Sequence, residues 1–375
     1  MKNNLFQTFA LLLLASISFF ACQKDALQEP APTKQTATEQ YFAPLDIEGV
    51  TDRSACPWAV IPAGSVDALA QAINDICEDG IIYLRAGMHT ENVPITITKP
   101  VKIIGEEGAV LKIKSDISPG DPATATVTLN PALHVLNAPG TLVQDLEIQP
   151  LDSDGGTAIL AENSSASAVM RCEINNFQFA VVVEKSDRTT IMFNTIVATG
   201  LWLTGDVTDA ESITIINGKS TYISDNEISN AVFGIWACDE WGTCERNNTH
   251  GNLIGLILCN VPQYLVLPSG EVTGSLIPAK GWKVRNNNST GNFSLGYLVI
   301  DGANNNLLEN NNASGNADYD MELTTGSMRF GFFTPESYQN TVITGAYPDI
   351  TIKDCGRDNH ISGGVLIDTV ADPCN

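Results

Sequence analysis

The strings VRNNNSTGN (284–292) and LENNNASGN (308–316) are nearly identical, lie 24 residues apart, and are each followed by an apolar run. Their common pattern is an apolar position, two or three residues, an Asn, and then a short strand. It recurs at Val143…Leu146-Glu-Ile148, Val169…Cys172-Glu-Ile174, Ile191…Asn194-Thr-Ile196, Ile223…Asn226-Glu-Ile228 and Cys244…Asn247-Asn-Thr249, with a weaker echo at Asn359-His-Ile361. A fixed short period of this kind marks stacked structural repeats.

A second apolar segment follows each repeat: AVVVE (180–184), GLWLT (200–204), GIWAC (234–238), GLILC (255–259), GYLVI (296–300) and DMELT (320–324). Their apolar residues alternate, as in Val181/Val183, Leu201/Leu203, Ile235/Ala237, Leu256/Leu258, Tyr297/Val299 and Met321/Leu323. Period-two apolarity predicts strands with one buried face. No helical segments separate them, so the chain is expected to coil, with strands of successive turns stacking in parallel.

These repeats, together with VDALAQAINDICEDGIIYLRAGMHTENVPITITKPVKIIGEEGAVLKI (66–113), resemble the right-handed parallel β-helix domains of the pectin-lyase-like superfamily. The resemblance covers about residues 66 to 365. It implies an all-β, right-handed parallel β-helix solenoid of about ten turns with a short N-terminal capping helix. It also implies that Asn194, Asn226, Asn247, Asn287 and Asn311 form a structural ladder at one corner. Asn tolerates left-handed backbone and bonds nearby backbone groups. The superfamily hosts lyases, hydrolases, epimerases and adhesins, so the resemblance leaves function open.

Three segments are expected. Residues 1–21 form a signal peptide, with an early Lys2, an apolar run and a small residue before Cys22. The Cys resembles the lipidated residue of bacterial lipoproteins, and Cys22-Gln23-Lys24-Asp25 resembles the export signal of Bacteroidetes surface lipoproteins. A plain signal peptide or an uncleaved anchor is the alternative. Residues 22–55 read as a tether, and 56–375 as the β-helix domain. The implied location is the outer membrane, at the cell surface, with the membrane reached through a lipid anchor.

The formal net charge is −23. Such a surface excludes nucleic acid as a partner and attracts cations, calcium among them. No cofactor is assigned, and a monomer is expected. Nine cysteines leave eight beside Cys22, which suggests disulfides in an exported chain. Cys238 and Cys259 share one register on adjacent turns, with Cys238–Cys244 as the competitor. Cys56 and Cys77 bracket the N-terminal cap, and Cys355 and Cys374 the C-terminal end. The spacing of Cys238, Cys244, Cys259 and His250 matches no zinc pattern.

Insertions at 205–220, 239–243, 260–281 and 325–337 leave the coil at one register and mark one face. The outward column beside them reads Val182, Trp202, Trp236, Ile257, Leu298 and Glu322. Trp202 and Trp236 on adjacent turns, with Trp241 nearby, are the expected sugar-binding platform. The alternative is that the apolar loop 260–281 folds over the stripe and buries it. Asp239 with Glu240, Asp301 with Glu322, and Arg329 are the catalytic candidates, because glycan chemistry needs facing ionisable groups. None sits in a recognisable catalytic motif. The expected function is binding of an extracellular polysaccharide, with or without processing; an enzyme here would be a polysaccharide lyase or a glycoside hydrolase. A non-enzymatic structural or adhesive β-helix is the alternative.

Overall fold

A computed structural model describes residues 58–118, 120, 126–207, 209–260, 265–274, 277–329, 332–369 and 374. Cys22, Cys56 and the segments 1–21 and 22–55 lie outside the described residues. The unit Arg53–Asn375 is a right-handed parallel β-helix.

Among the described residues, the helix Ala68–Asp75 caps the start of the coil and turns Leu69 and Ile73 into the core. Glu91 accepts the Leu69 N–H at 2.7 Å, which satisfies one free donor of the helix start. Beyond it, each turn delivers the same three side chains inward. A twelve-stranded sheet among the described residues stacks Val143, Val169, Ile191, Ile223, Cys244, Val284, Leu308, Val342 and Ile361. After a corner, Ile148, Ile174, Ile196, Ile228 and Thr249 stack next. The outer strands complete the turn with Leu133, Ile159, Val181, Ile213, Ile235, Leu256, Tyr297, Met321 and Ile352. Nearly all are fully buried in one continuous cluster. At about 1.5–3 kcal/mol per buried aliphatic side chain, these columns are the main source of stability.

The corner holds the asparagines. Asn194, Asn226, Asn247 and Asn287 each donate Nδ2 to the Oδ1 of the next, ending on Asn311, at 2.9, 2.8, 2.9 and 3.0 Å. Each amide also donates to a backbone carbonyl of the preceding turn, such as Val169 O for Asn194. The left-handed residue is not the Asn itself but the one before it: Arg171, Phe193, Asp225, Arg246, Asn286 and Asn310 have φ between 51° and 59°. The amide column braces the corner while its neighbour takes the unusual backbone.

The final asparagine of each opening string builds a second ladder, in which Asn252 donates to Asn292 at 3.3 Å and Asn292 to Asn316 at 2.9 Å. A third runs Asn306–Asn340–Asn359, at 2.9 and 3.1 Å. Asn359 therefore belongs to a different corner from the one its sequence echo suggests.

Cys238 and Cys259 form a disulfide, as do Cys355 and Cys374. Cys77 is also disulfide-bonded. Cys172 and Cys244 are buried free thiols, and burial pushes the Cys172 thiol up to about 12.

Candidate functional site on the outer strands

The outward column of the outer strands reads His134, Leu160, Val182, Thr214, Trp236, Ile257, Leu298, Glu322 and Lys353. It differs from the sequence expectation at one rung. Residues 200–204 make no strand: Gly200 is left-handed at φ 66°, and Leu201–Leu203 form a 3-10 turn. The strand of that turn is Glu211–Lys219, whose β-branched run Ile213–Ile216 fills the rung. Trp202 therefore does not stand beside Trp236; Thr214 does.

The apolar middle of the column is covered. Leu265–Val266 and Val272–Thr273 pair antiparallel, and Leu265–Val266 also pairs with Val127–Thr128. Leu265, Leu267, Val127 and Leu129 pack with Leu160, Val182, Trp236, Ile257 and Leu298 in a second apolar cluster. Trp236 is only 9% exposed and meets Phe233 edge-on, with ring centroids 4.7 Å apart. Its indole N–H points at Cys259 Sγ. Residues 265–274 thus form a flap, and Trp202 and Trp236 do not pair into a platform, because Thr214 takes the rung beside Trp236 and the flap buries its ring among apolar neighbours.

Beside His134, polar groups fasten the flap. His134 Nε2 and Glu162 Oε2 are 2.8 Å apart, and both residues are buried. Glu184 accepts from Thr273 Oγ1 at 2.9 Å and Asn217 Nδ2 at 3.3 Å, and Lys185 Nζ reaches Glu271 at 2.8 Å. Burial raises the Glu184 carboxyl above its ordinary range.

The other end is open. A cavity of about 350 Å³ is lined by Ser294, Leu295, Ala317, Asp318, Tyr319 and Glu322. Ser294 Oγ donates to Asp318 Oδ2 at 2.6 Å. Lys353, on the rung after Glu322, holds its ammonium 5.0 Å from the centre of the Tyr319 ring. Phe293, adjoining Ser294, is 52% exposed and meets Trp202 edge-on at 5.8 Å. Trp202 is fixed by its indole N–H, which donates to Asn230 O at 2.9 Å. The second ladder frames this rim, since Asn292 and Asn316 precede Phe293 and Ala317.

The other candidates fall elsewhere. Asp239 is fully buried, accepts from Thr221 Oγ1 at 3.3 Å, and is pushed by burial up to about 8. Glu240, its neighbour on the same strand, takes the opposite side, so the two do not face each other across a cleft. Trp241 is exposed at the far end of that strand, with Lys280 Nζ 5.8 Å from its ring. Asp301 is buried at the next corner with φ 56°, accepts from Thr334 Oγ1 at 2.8 Å, and does not line the cavity. Arg329 ends the strand Ser327–Arg329, and its side chain lies outside what the structure describes. Glu322 alone of these candidates lines the cavity. Sequence reasoning missed Tyr319, Asp318 and Lys353. Their signal was Asp318-Tyr319 directly before the DMELT segment and a lone Lys on the following rung.

Among the described residues, no helix is long and apolar enough to cross a membrane. No family model matches the chain. No curated protein matches it either. Solved structures do. The A-module of a mannuronan C-5 epimerase of Azotobacter vinelandii superposes with a TM-score of 0.50 at 13% identity, over 80% of this chain and 91% of that one. A periplasmic alginate epimerase gives 0.45 at 9% identity, over 77% of each chain. A surface adhesin of Streptococcus pneumoniae gives 0.42 at 11% identity, over 80% of this chain and 84% of that one. At these identities the likeness is one of fold.

Proposed function

We propose that this chain is an exported, lipid-anchored surface protein that binds an extracellular polysaccharide at the open end of its outer strands. One observation carries the reading. The outer face is sealed along its apolar middle, and beyond it a cavity brings an aromatic ring, two carboxylates and a serine together beside the exposed Phe293. Sugar rings offer apolar faces to aromatic side chains and hydroxyls to carboxylates, so this is chemistry a glycan site requires. The fold likeness to a mannuronan C-5 epimerase is compatible with the reading and does not carry it.

The sealed middle favours binding without turnover, as an adhesive β-helix would show. The test is a glycan-binding panel on the secreted chain, with and without calcium, scored also for product release. Tyr319→Ala and Phe293→Ala are expected to weaken whatever glycan binds. Unchanged binding in both variants, or no binding to any glycan, would sink the reading.

A further inference from the structure

Trp241 stands apart from the cavity, at the opposite end of the outer strands. It follows the strand Phe233–Glu240, whose first residue shares a column with the cavity residue Leu295. At this corner each rung takes a left-handed residue: Ser220, Trp241, Gly281, Asn305, Gln339 and Asp358 have φ between 53° and 69°. Glycine and short polar side chains meet that demand cheaply, and an indole does not. Trp241 nevertheless occupies it, with 54% of its surface exposed. The next rung makes room for the ring. A β carbon on Gly281 would collide with Cδ2, Cε3 and Cζ3 of Trp241, so the indole lies against bare backbone there while the rest of it meets water. Lys280 Nζ stands 5.8 Å from the ring. A ring seated in this way offers an apolar surface on which the C–H groups of a sugar can stack.

The ridge continues along the coil. Glu240, Lys280, Asn304, Tyr338 and Arg357 stand in one file, which puts Tyr338 about 14 Å along the axis from Glu240 at the spacing of parallel strands. Asn305 and Gln339 expose their amides beside that file. One rung is close to the length of one sugar unit in an extended chain, so a glycan laid along the ridge meets the indole and then the amides in step. Lys219, Glu240 and Lys280 alternate in sign on consecutive rungs, and Arg357 is paired with Glu336 at 2.9 Å. A polyanion therefore finds no basic patch here, and the net charge of −23 repels it at longer range. We infer that this corner is a second carbohydrate-binding surface, which takes a neutral, extended polysaccharide with one sugar ring on Trp241. The inference does not rest on the cavity.

Cellohexaose, mannohexaose and oligogalacturonate are the probes, measured calorimetrically on the intact secreted chain carrying Phe293→Ala and Tyr319→Ala, which removes the rings at the cavity. At least one neutral hexaose should bind this chain, and more tightly than oligogalacturonate. Adding Trp241→Asn should weaken that binding about tenfold or more without lowering the melting temperature, because Asn suits a left-handed position. Trp241→Tyr keeps a ring and should retain most of the affinity. Trp241→Leu keeps an apolar side chain at the same backbone angle without a ring, and should lose it as Asn does.

Affinity unchanged in the Asn and Leu variants, or oligogalacturonate binding as tightly as the neutral hexaoses, overturns the inference. Binding by the parent chain that vanishes with the two cavity substitutions overturns it and leaves the cavity standing. Binding indifferent to the cavity substitutions but lost with Trp241→Asn upholds this surface and removes the cavity. No binding of any probe, nor of any glycan in the wider panel, removes both.

Discussion

At the scale of single residues, the corner asparagines serve structure. Asn247 accepts from Asn226 Nδ2 and from the Asn226 N–H at 2.8 and 3.1 Å, and donates to Asn287 at 2.9 Å and to Ile223 O at 3.1 Å. Asn247→Ala would strand two buried donors and an acceptor, so a loss of about 3 kcal/mol is expected by chemical denaturation. A loss under about 1 kcal/mol would mean that water repairs the ladder. The opposite sign is expected one residue before a ladder position. Phe193 holds φ 59° with its ring half in solvent. An aromatic side chain is strained there and Asn is not, so Phe193→Asn should raise stability by about 0.5–1 kcal/mol. A melting temperature unchanged or lowered would show that the ring makes compensating contacts. The ladder was legible because stacking needs the same residue type at the same offset in each turn. The left-handed neighbour was not, because Arg171, Phe193 and Arg246 have no composition that announces it.

At the scale of elements, the sequence placed each outer strand correctly except one. GLWLT and ITII are both short and apolar, so periodicity cannot separate them. The separating signal was distance to the next repeat. Val183 precedes Ile191 by the same spacing as Ile215 precedes Ile223, whereas Leu203 is far upstream. The insertion therefore lies before the rung strand, not after it. The flap was legible only as an apolar loop, because what it covers depends on which side of the turn it leaves. Its attachment makes a prediction. Leu265 and Leu267 are each 1% exposed within the outer apolar cluster. Changing both to Ala should cost about 2–5 kcal/mol per site in docking. The flap should then be cut by protease within 260–281, while far-UV circular dichroism stays unchanged. Resistance equal to the parent chain would mean that the Glu184–Thr273 and Lys185–Glu271 contacts suffice to hold it.

At the scale of the whole molecule, burial of acids in an already acidic chain sets the response to pH. Burial raises the carboxyls of Glu91, Glu184 and Glu211, takes Asp209 to about 7 and takes Asp239 to about 8. A raised group binds its proton more tightly folded than unfolded. Its stabilising contribution is full below the ordinary carboxylate range and is lost as pH rises through the folded value. Glu245 works in the other direction. Hydrogen bonds from Tyr222, Arg246 and Arg285 outweigh its desolvation and hold it down at about 2, so its contribution appears above the ordinary range and is lost as pH falls toward that value. Five raised groups outnumber the one depressed, and the net charge of −23 adds self-repulsion as pH climbs. The melting temperature should therefore peak in mild acid and fall steadily between about pH 5 and 9. Asp239→Asn should flatten the upper part of that fall, because the amide keeps the contact with Thr221 without a proton to lose. A profile that is flat or rising over this range, or an Asp239→Asn variant with the parent slope, would show that these carboxyls meet water or a cation in solution and titrate as ordinary acids.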